Sequence, residues 1–512
     1  VQESVHTDQP PPGQTTTLWS LREDVRVETT EGSDAVELHG RWSDLRIREP
    51  GPVLVETLRR MSLGPVNLEN VPVDAGRPPT WCRVLSGLQH LIVRSLAFAV
   101  DGQPLLSVIP LSRTAQFTPQ PPPEDRALKL SRFAVLRREQ DHFHLESPLS
   151  LHRVVLHRSE VQWVVAALGR PSPAAEVGAG LPLDARVVRD ILAHLIGTGM
   201  VLVADGPGGD FAEDQDAALR TWTAHDLFFH TRSVMGRGDG DFGATYSHAG
   251  TLAPQPAVKR APKGPSVPLP RPDLDELLKR DPVFTTVLEG RRSQRAYGSP
   301  ALTLHELGEF LYRTSRVRAL GVAGTGETRY PVSDRPYPTG GAAYDLELYL
   351  TLRDCTGLAD GIHYYDPQEH ALVLVNDDPA AATEMTAGAI AAADLEGPPP
   401  VLITLTSRSQ RLSWKYSGLA YSLALKHAGA LTQTFYLVGS AMGLATCAVC
   451  SEDIEVCAAT LGLDWRTESP VGSFVVGPAP RAASEGGGAP RKQLVPVNDP
   501  DWAARSAAAA ER

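Results

Sequence analysis

Residues 411–430 read RLSWKYSGLAYSLALKHAGA and set Lys415 beside Tyr416 at the head of a largely apolar stretch. Leu419, Leu423, Ala430, Leu431, Phe435, Val438 and Met442 follow at spacings of about three and four, which predicts a helix that is mostly core. Adjacent helical residues point about 100° apart, so the pair cannot share one buried stripe, but both can border a pocket at the helix start. A lysine partly desolvated near a phenol could lower its own pKa, or as a cation could favour phenolate, and either gives a base near neutral pH. The plain alternative is a snorkelling lysine beside an amphipathic tyrosine at an edge.

Three other stretches carry residues suited to chemistry. In EGRRSQRAYG (289–298), Arg291, Arg292 and Arg295 surround Ser293 and offer charge-assisted donors for a phosphate; the alternative is a solvated basic edge paired with acids such as Glu289. In RPYPTGGAAYDLELYL, Pro338, Thr339, Gly340 and Gly341 form a turn whose glycines let the backbone approach a flat ligand, or merely a turn before a strand. In GSAMGLATCAVCSEDIEVCAATLGL (439–463), Cys447 and Cys450 make a C-x-x-C. No second ligand pair follows and no thioredoxin-like unit precedes it, so packed or incidental cysteines are the preferred reading over zinc or disulfide chemistry.

The elements that must position these residues follow from periodicity and turn chemistry. Thr303 and Glu306 predict a capping box ahead of LHELGEFLYR, and YDLELYLTLR alternates Leu346, Leu348, Leu350 and Leu352 as a strand. HALVLV, VLITLT and SFVVGP add strands, giving an α+β pattern over about 273–482. Upstream, DVRVETT, AVELHG and SDLRIRE read as strands, GPVLVETLRRMSLG as an amphipathic helix, and LAFAVDGQPLLSVI as a hairpin turning at Asp101-Gly102. Ser159 with Gln162 predicts a second capping box before Val161, Val164, Val165 and Leu168, with Gly169 able to end that helix. Asp184 caps a helix carrying Val188, Ile191, Leu192 and Leu195 that runs into MVLVAD. With a short helix following Pro173, three helices and a strand suggest a winged helix-turn-helix, but Arg186 and Arg189 are offset by Asp184 and Asp190, so peptide binding or a scaffold role suits it better than DNA.

Proline-rich and polar stretches at 1–16, 117–126 and 253–272 predict the boundaries. These give a disordered tail over 1–16, a first winged-helix-like unit over 17–118 and a second over 127–210. A connecting segment and Pro-rich linker cover 211–272, the large domain 273–482, and a flexible tail 483–512. The chain has 512 residues with 42% hydrophobic and 21% charged residues, ordinary values for a globular protein of about three domains. A net charge of -11 opposes general affinity for nucleic acid or an anionic membrane and favours small molecules or peptides as partners. Five cysteines, an odd number, fit a reducing compartment. The greasiest stretch, LQHLIVRSLAFAV, is short and contains His90 and Arg94, so the expectation is a soluble, cytoplasmic protein.

Taken in order, the motifs over about 270–480 resemble the nitroreductase-type flavoprotein fold, and more narrowly its SagB/ThcOx-type azoline dehydrogenase branch. The resemblance implies that Arg291, Arg292, Ser293 and Arg295 bind an FMN phosphate, and that Pro338, Thr339, Gly340, Gly341 and Ala342 match the branch's Pro-Ser-Gly-Gly-Ala turn beside the isoalloxazine. GLATCAVCSEDI is similar to the branch's GLGTCAIGAFDD-style segment, placing the backbone of Val449, Cys450 and Ser451 near flavin N5, with Cys450 where the family has a small glycine. Lys415 and Tyr416, followed by GLAYSLALKHAGA, resemble the branch's catalytic pair, and HDLFFHTRSVMGRGDGDFGATY (225–246) resembles the segment entering the flavin domain of longer members.

The implied fold class is α+β, with a C-terminal nitroreductase-like FMN domain preceded by two small winged-helix-like units similar to peptide-recognition elements. The implied reaction is FMN-dependent oxidation of thiazoline or oxazoline rings in a ribosomally made peptide to thiazoles or oxazoles, with Lys415 or Tyr416 as base. The implied partners are an azoline-containing precursor peptide, a heterocyclase and a second copy of the chain; no metal, nucleic acid or membrane is expected. The rivals are a general NAD(P)H-dependent FMN reductase of quinones or nitroaromatics and a flavin-free scaffold that holds a leader peptide.

Overall fold

The computed structural model describes residues 13–29, 35–68 and 80–480, together with Val497, Asp501, Trp502, Arg505 and Ala508. Nearly all of the tails expected at 1–16 and 483–512 lies outside the described residues, although Thr15 and Thr16 already belong to the strand Thr15–Leu21. The chain divides into two compact units, Val1–Gly240 and Asp241–Arg512.

In the first unit, the boundary expected at 117–126 does not separate two units. One antiparallel sheet takes, in spatial order, Val66–Asn67, Thr15–Leu21, Ile92–Phe98, Pro104–Pro110, His152–Leu156, His142–Glu146 and Val135–Glu139. Its centre is the pairing of Pro104–Pro110 with His152–Leu156, which joins the two expected pieces. Either piece alone would leave an open sheet edge, and a shared core of Leu106, Val108, Val154, Leu156, Val161 and Leu192 completes the join. The two expected pieces therefore share one sheet and one core rather than forming independent units.

Local expectations fare better there. The hairpin turns at Asp101-Gly102, Gly51–Leu63 is helical, and Asp184 accepts the Arg186 N–H at 2.8 Å to cap Ala185–Gly197. The Ser159 capping box does not form: Ser159 is already inside the helix Ser159–Ala167, and its hydroxyl donates to Glu160 at 3.1 Å. Within this unit, the part of the expected connector at 211–240 is anchored near both of its ends. Buried Glu213 accepts the Arg132 N–H at 3.0 Å, and Asp239 accepts from Arg22 at 3.3 Å and Arg153 at 3.2 Å.

The second unit is built on a sheet whose strands we label β1 (Ser266–Pro268), β2 (Leu346–Leu352), β3 (Gly361–Asp366), β4 (Ala371–Asn376), β5 (Val401–Arg408), β6 (Leu444–Val449) and β7 (Glu468–Pro478). Their spatial order is β1-β4-β3-β2-β5-β7-β6, antiparallel at each step. Every residue of β2 is buried. Its leucines enter the core with Phe310, Leu431, Phe435 and Phe474, while Tyr349 packs on the opposite face with Ile362, Tyr364 and Met385.

The longer helices are α1 (Leu274–Arg280), α2 (Phe284–Gly290), α3 (Leu304–Ser315), α4 (Pro379–Ala393), α5 (Ala420–Ala441) and α6 (Ile454–Leu461). The Thr303–Glu306 capping box starts α3 as its sequence requires. The Pro-rich stretch at 253–272 is a strap rather than a free linker. Prolines lack the N–H but keep the carbonyl. The carbonyls of Gln255, Pro256 and Ala257 accept from the buried guanidiniums of Arg411 (2.8 Å), Arg408 (2.8 Å) and Arg335 (3.4 Å), and β1 closes one edge of the sheet.

Candidate active site

Lys415 and Tyr416 do not open the long helix. The short helix Ser409–Ser413 ends before them, and Tyr416–Ser417 form a two-residue strand paired with Gly243–Ala244. Gly418, at φ 74°, then turns the chain into α5, and a Cβ there would lie 2.8 Å from the Phe242 ring. The periodic pattern was real, but the glycine interrupts it between the pair and the helix.

Lys415 is buried, and its ammonium donates to the Tyr330 hydroxyl. Three phenol rings surround it, with Nζ 4.5 Å from the centre of Tyr330, 5.1 Å from Tyr416 and 5.7 Å from Tyr246. Burial by itself lowers the Lys415 pKa, but the hydrogen bond to Tyr330 and the phenols of Tyr416, Tyr330 and Tyr246 outweigh it, and the net direction is upward. Of the two arrangements open from sequence, this favours the lysine as cation.

The glycine turn meets this pair directly. A Cβ on Gly341 would collide with the Lys415 side chain and sit 2.6 Å from the Tyr416 hydroxyl, so only glycine leaves room for both heads. Gly341, Ala342 and Tyr344 all have positive φ (58°, 52° and 38°), an uncommon backbone for alanine or tyrosine. Such strain persists only where the surroundings hold it. Here Arg411 donates to the Ala343 carbonyl, Arg408 reaches the Tyr344 carbonyl at 3.4 Å, and Tyr330 donates to the Gly341 carbonyl at 2.9 Å. Burial, with Arg408 and Arg335 nearby, pushes Arg411 down to about 9. The turn's other contacts are the Tyr344 N–H to Thr339 Oγ1 at 3.2 Å and the Gly340 N–H to His427 Nε2 at 2.8 Å. His427 Nδ1 lies 2.6 Å from buried Asp345, so the network assigns its proton to that nitrogen.

The arginine run forms a second cluster. It follows α2 without regular structure; Arg291 lies 5.0 Å over the Tyr436 ring and the Ser293 hydroxyl is 2.8 Å from the Tyr436 hydroxyl. That hydroxyl also accepts the Ala448 N–H at 2.8 Å, and the Gln294 N–H bonds Thr446, so the run is docked on β6. Among the described residues, Arg291, Arg292 and Arg295 have no carboxylate partner, which leaves their donors available to an anion. Val449 is buried in the core, Cys450 is exposed, and Ser451 packs against Gly388 of α4. Cys447 is buried, unlike Cys450, and the two are not disulfide-bonded.

The structure thus gathers the predicted residues into two groups, one around Gly341, Lys415 and Tyr416 and one around Ser293 and the end of β6. Both are tied to α5, through His427 and Tyr436. Nine helical positions separate these two, about 13 Å along the axis and about half a turn around it. Sequence reasoning missed Tyr330, His427, Asp345 and Tyr436. Only His427 carried a local signal, as a lone histidine on an apolar helix.

The nitroreductase family model matches residues 288–478, and the model for the cyanobactin oxidase ThcOx matches residues 128–239. A protein of Methanocaldococcus jannaschii named as a nitroreductase is 30% identical over 186 residues, 36% of this chain and 85% of that protein. The chain belongs to the nitroreductase family. Among solved structures, a Ralstonia eutropha protein described as a nitroreductase is 22% identical, with a TM-score of 0.33 over 47% of this chain and 99% of that one. The Escherichia coli microcin synthetase McbBCD complex with truncated pro-MccB17 bound is 22% identical, with a TM-score of 0.30 over 36% of this chain and 69% of that one.

Proposed function

We propose that this chain is an FMN-dependent dehydrogenase that oxidises thiazoline or oxazoline rings of a ribosomally made peptide to thiazoles or oxazoles. The observation that carries the reading is the convergence of the Lys415 and Tyr416 heads on the side-chain-free backbone of Gly341. The match to a cyanobactin oxidase model in the first unit favours a peptide substrate over a free small molecule.

The residues present fit FMN. Arg291, Arg292, Ser293 and Arg295 supply donors for its phosphate, and Pro338, Thr339, Gly340 and Gly341 supply a turn with no side chain at its closest point. The backbone of Val449, Cys450 and Ser451 is assigned to the flavin as well. Bound FMN supplies a two-electron acceptor for the hydride leaving one ring carbon. Tyr416 or Lys415 takes the proton from the adjacent carbon; Lys415 is buried and Tyr416 half-buried beside it.

A homodimer is part of the proposal. α1 and α2 leave Leu274 (67% exposed), Leu278 (76%), Phe284 (66%) and Leu288 (45%) uncovered, two i,i+4 pairs that a second copy would bury. The placement of the two residue groups about half a turn apart on α5 suits a flavin shared between copies. A heterocyclase as further partner, binding of the precursor peptide by the first unit, and a cytoplasmic location, which suits the free cysteines, complete the reading.

The test is the visible spectrum of the purified protein, followed by incubation with an azoline peptide. Stoichiometric FMN and a two-hydrogen mass loss that disappears in Lys415→Ala and Tyr416→Phe would support the reading. The named nitroreductase relative favours a second one, a general NAD(P)H-dependent FMN reductase. Rapid bleaching by NAD(P)H, turnover on quinones or nitroaromatics, and no change in azoline peptides would establish that instead.

A further inference from the structure

We propose that Tyr330 is a positioning residue for the candidate reaction: anchored on the Gly341 carbonyl, its hydroxyl holds Lys415 as an ammonium beside Tyr416 and so leaves Tyr416 as the proton acceptor. This rests on the oxidoreductase reading above and assigns roles within that site.

The direction of the hydrogen-bond chain carries the argument. A phenol has one proton to donate and lone pairs with which to accept. The Tyr330 proton goes to the Gly341 carbonyl at 2.9 Å, because a carbonyl can only accept. Toward Lys415 the Tyr330 oxygen is therefore an acceptor, and the lysine must donate. An ammonium has three donors and no acceptor, which matches this demand. A neutral amine would turn its lone pair toward phenol rings at 4.5 to 5.7 Å, whose faces attract a cation and repel electron density.

The charge so held is not neutralised. Among the described residues no carboxylate pairs with Lys415, so its field acts on the nearest ionisable groups, the phenols. Tyr330 is not placed to take a proton from a ligand: it is 7% exposed and its hydroxyl is engaged by the Gly341 carbonyl and Lys415. Tyr416 has its ring 5.1 Å from the ammonium and its hydroxyl directed at the bare face of Gly341. The upward direction of the Lys415 pKa despite burial agrees with this geometry.

The test uses the full-length protein and Tyr330→Phe, which keeps the buried ring and removes only the hydroxyl. Lys415 reactivity toward acetic anhydride is followed against pH by peptide mass spectrometry, which requires neither flavin nor substrate. In the wild type the labelling midpoint should lie above about 10.4, the ordinary lysine value. In Tyr330→Phe it should fall by about one pH unit, a tenfold change in acidity. With FMN bound, azoline oxidation at pH 7, where Lys415 stays an ammonium in both forms, should change little, and the activity lost as Lys415 deprotonates should fall off about one pH unit lower in the variant.

A wild-type midpoint at or below the ordinary value overturns the proposal without any variant, and so does an unchanged midpoint in Tyr330→Phe. If labelling behaves as expected but azolines are not oxidised, the substrate reading fails while the hold of Tyr330 on Lys415 stands.

Discussion

His427 accepts the backbone N–H of Gly340 at 2.8 Å, which ties the middle of α5 to the turn that faces Lys415 and Tyr416. Asp345, fully buried on the other side of the imidazole, completes the tie at 2.6 Å. The turn is therefore held from the core, through a residue whose orientation and tautomer are set by a carboxylate.

Replacing that residue should loosen the turn. His427→Ala leaves the Gly340 N–H and one Asp345 oxygen without a partner, at a cost of about 2 kcal/mol. For a unit of this size that corresponds to a fall in Tm of roughly 4–8 °C. Thermal unfolding with and without added FMN checks it. An unchanged Tm would mean that the turn is held without the histidine.

Gly341→Ala should act on chemistry more than on folding. The new methyl displaces the Lys415 ammonium and the Tyr416 hydroxyl, both at the ends of movable side chains, and an alanine at φ 58° costs about 1–2 kcal/mol. We expect a folded protein whose turnover falls about a hundredfold. Steady-state rates beside a melting curve separate the two effects; equal turnover would show that the space over Gly341 is not used.

The first unit should be acid-labile. Burial pushes His152 down to about 4; burial, with His142 and His144 nearby, pushes His157 down to about 4 as well. Their neutral forms are favoured in the folded state, so the unfolded chain binds more protons below its own pKa near 6.5. Stability is then complete above about pH 6.5 and is lost as pH falls toward 4. Unfolding of the full chain at a series of pH values should show this, with a shallower decline in His152→Gln. A flat profile between pH 7 and 5 would contradict it.

If a second copy covers α1 and α2, Leu278→Glu with Phe284→Glu should halve the mass seen by light scattering and lower FMN retention. Both residues are exposed in the single chain, so the substitutions should leave its own folding intact. A wild type already monomeric at micromolar concentration would remove the dimer from the proposal.

Short-range order was legible in the sequence because its causes are local. The Thr303 capping box, the Asp184 cap, the hairpin at Asp101-Gly102 and the alternation along β2 each depend on a few neighbouring residues, and each stands where its pattern set it. The Lys415-Tyr416 adjacency is covalent and could not be missed. The Ser159 box failed because a capping pattern does not say which residue takes the extended conformation, and here it is Arg158.

What tertiary structure alone decided depends on chain segments far apart. The sheet that runs across 117–126 arises from pairing Pro104–Pro110 with His152–Leu156, and proline content says nothing about that register. The stretch at 253–272 looks like a linker by composition, yet its carbonyls supply the acceptors for three buried arginines. Tyr330 reaches Lys415 from 85 positions away, and Asp345 reaches His427 from 82. The residue types able to do chemistry, and the local elements that carry them, are readable from the chain because they depend on near neighbours. Whether the lysine would be buried, charged and aimed at Gly341 was decided only by packing, because a side chain's protonation and direction follow from neighbours that only the folded chain brings together.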